Sequence, residues 1–216
     1  MGNVTLVDCG IGNVQSVANA LRRVGAEPAI VSDGDALRMA AASCVVMPGV
    51  GAVGEALALL RERGLDTALN DLVRDGDVPF LGICVGMQVM AEVCEEFGEH
   101  AGLGWIPGRV RRLAPRDGEL RVPHVGWNTI TVADGPSFLG GLDGSHFYFV
   151  HSYALDCPDE FVLATADYGG PFVAAVRRDH IAGVQFHPEK SSGAGEAMLR
   201  SFLASAGVAA EGGPRC

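Results

Sequence analysis

The chain has 216 residues, 48% of them hydrophobic, which is enough to bury one sizeable core, and one domain is the simplest reading. Its 16 Lys and Arg against 26 Asp and Glu give a formal charge of −10. Few, scattered cations argue against nucleic acid or an anionic membrane as partner and favour small polar ligands. No apolar run approaches the roughly 20 residues that a membrane helix needs, and no basic stretch leads into a signal-peptide core, so a soluble cytoplasmic protein is expected.

In chain order, Val4–Val7 reads as a strand. Asn13–Val24 reads as a helix with Val14, Val17, Ala18, Leu21 and Val24 at helical spacing and Gly25 as its stop. Strands are expected at Pro28–Val31 and Cys44–Met47, helical segments around Leu57/Leu60 and Leu65/Leu69/Leu72, and a strand at Phe80–Ile83. Met87 to Phe97 carries a helical pattern. Such alternation implies a parallel sheet covered by helices. From Gly108 onward strands dominate: Arg109–Leu113, Val122–Ile130, His146–Leu155, Phe161–Ala166, Phe172–Arg177 and Ile181–Phe186, before a closing helix at Gly195–Ala206. The expected fold is a single α/β domain over residues 1–206, with a mixed, mostly parallel central sheet, flanking helices and a β-rich second half. Gly207–Cys216, rich in Gly and Ala, is expected to be a frayed tail.

Two segments carry chemistry. In Gly82-Ile83-Cys84-Val85-Gly86 a cysteine stands where an apolar run gives way to a helical pattern, with glycines two residues to either side. That is the pattern of a nucleophile elbow, a sharp strand-to-helix turn that leaves no room for neighbouring side chains and lifts the sulfur above the sheet edge. A helix N-terminus there favours thiolate and offers N–H groups to an oxyanion. A buried cysteine in a glycine-rich turn would read the same way, so a base must decide. Gly183-Val184-Gln185-Phe186-His187-Pro188-Glu189-Lys190-Ser191 supplies one: His187 lies just past a strand, and Pro188 fixes the intervening φ so that Glu189 can fold back on the imidazole. Cys84, His187 and Glu189 then form a Cys-His-Glu triad for acyl transfer. One apparent motif is set aside. Gly10-Ile11-Gly12-Asn13-Val14-Gln15 begins like a dinucleotide fingerprint, but Gln15 stands where the third glycine belongs and no suitable acidic residue follows.

Together, Gly82-Ile83-Cys84-Val85-Gly86-Met87-Gln88 and His187-Pro188-Glu189 resemble the signatures of class I (triad) glutamine amidotransferases. Pro48-Gly49-Val50-Gly51-Ala52, Pro123-His124-Val125-Gly126-Trp127-Asn128, Tyr148-Phe149-Val150-His151-Ser152-Tyr153 and the opening Asp8-Cys9-Gly10-Ile11-Gly12-Asn13 narrow the resemblance to the HisH-type glutaminase subunit of imidazole glycerol phosphate synthase. It spans about Val4 to Leu203. Cys9 stands where that family usually has an aromatic, Val85 where it has leucine and Val53 where it has phenylalanine, and none of these departures removes a catalytic atom.

The resemblance implies a flavodoxin-like α/β/α fold and hydrolysis of glutamine to glutamate and ammonia. It also implies a heterodimer in which a (β/α)8-barrel cyclase uses that ammonia in histidine biosynthesis. Val85 and the Val50/Gly51 turn are expected to supply the oxyanion hole, Gln88, His151, Ser152 and Tyr153 to contact substrate, and Asn13, Trp127, Tyr148 and Lys190 to meet the partner. Asn13 would equally serve as an N-cap, and Trp127 and Tyr148 as core. No cofactor, metal or disulfide is expected, since the six cysteines show no C-x-x-C spacing. A related glutaminase for a different barrel, such as one making an acetamidino sugar, an elbow-cysteine peptidase or chaperone, and a non-catalytic binding subunit remain as alternatives.

Overall fold

The computed structural model describes residues 2–116 and 120–208. Its first half alternates strand and helix as the periodicity requires. β1 (Val4–Val7), α1 (Val14–Arg23), β2 (Pro28–Val31), α2 (Gly34–Met39), β3 (Cys44–Gly49), α3 (Val53–Glu62), α4 (Leu65–Leu69) and β4 (Phe80–Cys84) follow in order, with α4 running on into a π-helical turn over Asn70–Arg74. α1 forms because Val14, Val17, Ala18 and Leu21 share one buried face, and because the Asn13 side chain accepts from the Ser16 N–H at 3.1 Å. β1, β3 and β4 are buried on both faces, as parallel strands between helical layers must be.

After β4 come α5 (Val85–Gln88), β5 (Ala91–Cys94), β6 (His100–Ala101), β7 (Ile106–Arg112), β8 (His124–Val132), β9 (His146–His151) and β10 (Tyr153–Asp156). β11 (Val162–Asp167), β12 (Pro171–Arg178), β13 (Ile181–Val184) and α6 (Ser192–Ser205) complete the chain, with a 3-10 turn at Pro188–Lys190 ahead of α6. The large sheet has the order β2-β1-β3-β4-β13-β12-β11-β8-β9. From β2 to β13 neighbours run parallel, and from β13 to β9 they run antiparallel. β13 is thus the last parallel strand and the neighbour of β4, which sets the end of the second half beside the elbow of the first. A small second sheet, β10-β7-β5-β6, packs beside it. The apolar core is continuous from Leu6 and Val46 through Phe80 and Ile83 to Phe149, Val184 and Phe202.

Three expectations need correction, and one element was missed. The helical pattern over Met87–Phe97 yields only one turn, Val85–Gln88, and Ala91–Cys94 is instead a strand whose Ala91 and Cys94 lie opposite Ile106 and Val110 of β7. Cross-strand pairing outweighs local periodicity there. His146–Leu155 is two strands: the chain leaves β8 at His151 and, after Ser152, pairs with β7 of the other sheet. α2 was not anticipated, although Asp33 caps it by accepting from the Ala36 N–H at 2.8 Å. The packed chain also extends past 206. Val208 is buried, with its N–H on the Leu203 carbonyl over Gly207 at φ 70°, the glycine-closed helix end. The rest of the expected tail, 209–216, lies outside the described residues. Among those described, no helix is long and apolar enough to cross a membrane.

Candidate active site

Cys84 ends β4 at the carboxyl edge of the parallel strands, with β3 on one side and β13 on the other. Its backbone sits at φ 56°, ψ −109°, a combination that L residues avoid and that persists only where the surroundings impose it. They do so through the flanking glycines. A Cβ at Gly82 would collide with the Gly86 carbonyl, and one at Gly86 with the carbonyl of Met47 in β3. The helix that follows is a single turn, so the dipole of a long helix does not act on the sulfur. What remains are first-turn N–H groups without helical acceptors.

His187 is anchored by its N–H on the Tyr148 carbonyl at 2.8 Å, and the 3-10 turn at Pro188–Lys190 brings Glu189 back to it. Nδ1 of His187 and Oε1 of Glu189 are 2.8 Å apart, with both side chains almost wholly buried. A carboxylate only accepts, so Nδ1 carries a proton, and Nε2 is the nitrogen left to exchange one with Cys84. That Nε2 is buried and makes no hydrogen bond of good geometry, and neither does Oε2 of Glu189. Burial opposes the imidazolium. The hydrogen bonds and negative charge of the neighbouring Cys84 and Glu189 outweigh burial and hold the His187 pKa up at about 9. Among the other described cysteines, burial pushes Cys44 and Cys94 up to about 12 and Cys157 to about 11, and raises Cys9.

A cavity of about 310 Å³ opens over the sulfur. Val50, Gly51 and Val85 line the side beside Cys84, and Gly51 adopts φ 88°, which turns the backbone after β3 toward the opening. Gln88, Glu96, His151, Ser152 and Tyr153 line the rest together with Pro123 and Val150.

The sequence model of the glutamine amidotransferase class-I family matches residues 5–206. The HisH subunit of imidazole glycerol phosphate synthase from Caulobacter vibrioides is 46% identical over 94% of this chain and 98% of its own length. The HisH subunit of Methanothermobacter thermautotrophicus is 43% identical over 93% and 97%. The chain belongs to the class-I glutamine amidotransferase family, among its HisH subunits. A solved glutamine amidotransferase structure shares the fold at a TM-score of 0.75 and 23% identity, covering 96% of this chain and 100% of that one.

Within this amidotransferase the expected ligand contacts divide. Gln88 commits both amide hydrogens to protein acceptors, the Tyr153 carbonyl at 2.9 Å and Gln185 Oε1 at 3.1 Å, so only its Oε1 is left for a ligand. His151 lines the cavity with both ring nitrogens engaged within the protein. Its Nδ1–H donates to the Tyr153 carbonyl at 2.9 Å, which makes its Nε2 the acceptor for His124 Nδ1–H at 3.0 Å. His124 Nε2 in turn accepts from Asn128 at 3.4 Å. Burial pushes both histidines down to about 4, so this chain is neutral at physiological pH.

Two residues escaped the sequence reading. Glu96 places a carboxylate on the cavity wall, with Oε2 accepting from the Val53 N–H at 2.8 Å, but it fell inside the misread helix. Gln185 is fully buried beside the sulfur, and its place in Gly183–Ser191 was read only as strand. Of the expected partner-facing residues, Trp127 is 53% exposed and stands edge-on to Tyr148 at 6.1 Å, while the Lys190 ammonium lies 5.8 Å from the Tyr148 ring. Asn13 is exposed at the start of α1, which packs against the Pro188–Lys190 turn.

Proposed function

We propose that the chain hydrolyses L-glutamine through a thioester at Cys84 and passes the ammonia to a synthase subunit. That it is a glutaminase subunit serving histidine biosynthesis follows from its family. The observation that carries the residue assignment is the buried His187–Glu189 pair with an unpartnered Nε2 next to a cysteine held in a strained turn.

In this reading His187 Nε2 takes the Cys84 proton, and the thiolate attacks the side-chain carbonyl carbon of glutamine. N–H groups of Val85 and of the Val50/Gly51 turn receive the oxyanion. His187 returns the proton to the departing nitrogen, ammonia leaves, and a γ-glutamyl thioester remains. Water that gives its proton to His187 then cleaves the thioester to glutamate and the free sulfur. Positioned acid–base assistance of this kind contributes about 10²–10⁴ in rate, and one oxyanion donor about 10²–10³. Glu96 suits the substrate ammonium, Ser152 and Tyr153 its carboxylate end, and Gln88 Oε1 its amide hydrogens.

The relatives' name implies a second subunit. We take it to be a (β/α)8-barrel cyclase that docks over Trp127, Tyr148, Lys190 and Asn13. Trp and Tyr are enriched among residues that anchor interfaces, and Trp127 is exposed and edge-on to Tyr148. One domain, carried past residue 206 to Val208, and residence in the cytoplasm belong to the same reading. The latter is supported by five described cysteines that are all free thiols.

A diazo-ketone analogue of glutamine tests the site. It is expected to modify Cys84 and no other cysteine in peptide maps, because the other described thiols are held protonated. Modification concentrated at Cys9, Cys94 or Cys216 would overturn the assignment.

A further inference from the structure

We infer that Gln185 is a sulfur-holding residue: its side-chain amide donates to Cys84 and steadies the sulfur's negative charge both when the thioester forms and when water cleaves it. The inference rests on Cys84 as nucleophile. Its basis is a directional chain of hydrogen bonds. The Tyr153 carbonyl can only accept, so the Gln88 group 2.9 Å from it must be its NH₂. The same NH₂ lies 3.1 Å from the Gln185 side chain, which must therefore present its oxygen there. The other end of the Gln185 amide, its NH₂, is then compelled to face Cys84 Sγ, at 3.6 Å. The orientation is fixed by a backbone carbonyl two links away, and Gln185 is wholly buried.

The sulfur's other neighbour behaves oppositely. The Val150 carbonyl, 3.9 Å away, can accept from the thiol but offers nothing to the thiolate. When the Cys84 proton passes to His187 Nε2, the contact with Val150 becomes repulsive and the N–H of Gln185 becomes a charge-assisted donor. The same donor stabilises the sulfur as it leaves in thioester hydrolysis, with the electron pair of the S–C bond returning to it while water supplies the new C–O bond. Holding a thiolate lowers its intrinsic nucleophilicity somewhat, but it raises the fraction present and its ability to leave.

The test compares Gln185→Leu and Gln185→Glu with the unaltered chain in the assembled complex. It reads the pH dependence of Cys84 alkylation by iodoacetamide, with peptide mapping, and kcat and KM for glutamine. Both variants are expected to slow Cys84 alkylation at neutral pH about 10-fold or more, to move its profile to higher pH, and to lower kcat. A role confined to propping Gln88 would raise KM and leave the alkylation profile where it was, and that result would overturn the proposal. Should either variant fold poorly, the unaltered chain gives an independent reading by NMR: the Gln185 side-chain amide resonance is expected to move when Cys84 is alkylated, and no movement contradicts the inference. Cys84→Ala run in parallel separates the two claims, since retained glutamine turnover in that variant would remove the nucleophile assignment itself.

Discussion

With His187 as the proposed acid and base, its charge state sets when the site can work. Its pKa is held up to about 9, against the opposing effect of burial, by Cys84 and Glu189, so at neutral pH the imidazole carries the proton that the departing ammonia must receive. Below about 9 that acid is present, and above it the acid is lost. Glutamine hydrolysis by the complex is therefore expected to decline as pH rises through about 9. Glu189→Gln removes one of the groups that raise the pKa, so its declining limb is expected at lower pH, together with a fall of about 10²–10⁴ in rate, the usual worth of positioned acid–base assistance. A pH–rate profile of both proteins checks this, and superimposable high-pH limbs would count against Glu189 as the group that holds the imidazolium. At this scale the sequence was most informative where covalent geometry left few options. Pro188 between His187 and Glu189 permits the fold-back that the 2.8 Å contact records. Gln185 and Glu96 stayed hidden because nothing local marks them, and their importance comes from what the fold sets 101 and 43 positions away.

Among the elements, the β8–β9 hairpin joins the cavity over Cys84 to the exposed Trp127 face. His124 faces His151 across it, and Trp127 faces Tyr148 three steps on toward the other end. The His151–His124–Asn128 chain inside it is neutral, and its histidines' pKa values are lowered from 6.5 to about 4 by burial. The unfolded chain thus takes up protons first as pH falls. The stability these groups contribute is fully present above about 6.5 and is lost as pH drops toward 4. Replacing His124 with Gln is expected to destabilise the protein at pH 7, through lost stacking between Phe149 and Tyr168, and the gap to the unaltered protein is expected to narrow toward pH 4. Thermal unfolding across that range measures it, and a gap that widens on acidification would contradict the assignment. The element that the sequence misled about, β5, shows the limit of periodicity. A four-residue strand buried at Ala91 and Cys94 carries too short a pattern to be distinguished from a helical face, and only β6 and β7 on either side define it.

For the molecule as a whole, the order of the large sheet explains why neither half would act alone. The proposed nucleophile ends β4, the proposed base follows β13, and these strands become neighbours only when the C-terminal segment returns to the centre of the sheet. The alternating strands and helices of the first half made that half legible in advance, since each parallel strand is a short apolar run between amphipathic helices. The second half was legible as strands but not as two sheets, because the switch at Ser152 depends on pairing partners far along the chain. The central claim is that this chain releases ammonia from glutamine at Cys84 for use elsewhere, and one variant tests it most directly. Cys84→Ala, assembled with the synthase subunit, should lose synthesis driven by glutamine while synthesis driven by ammonium salt continues near the unaltered rate. Comparable turnover of glutamine by that variant would contradict the account.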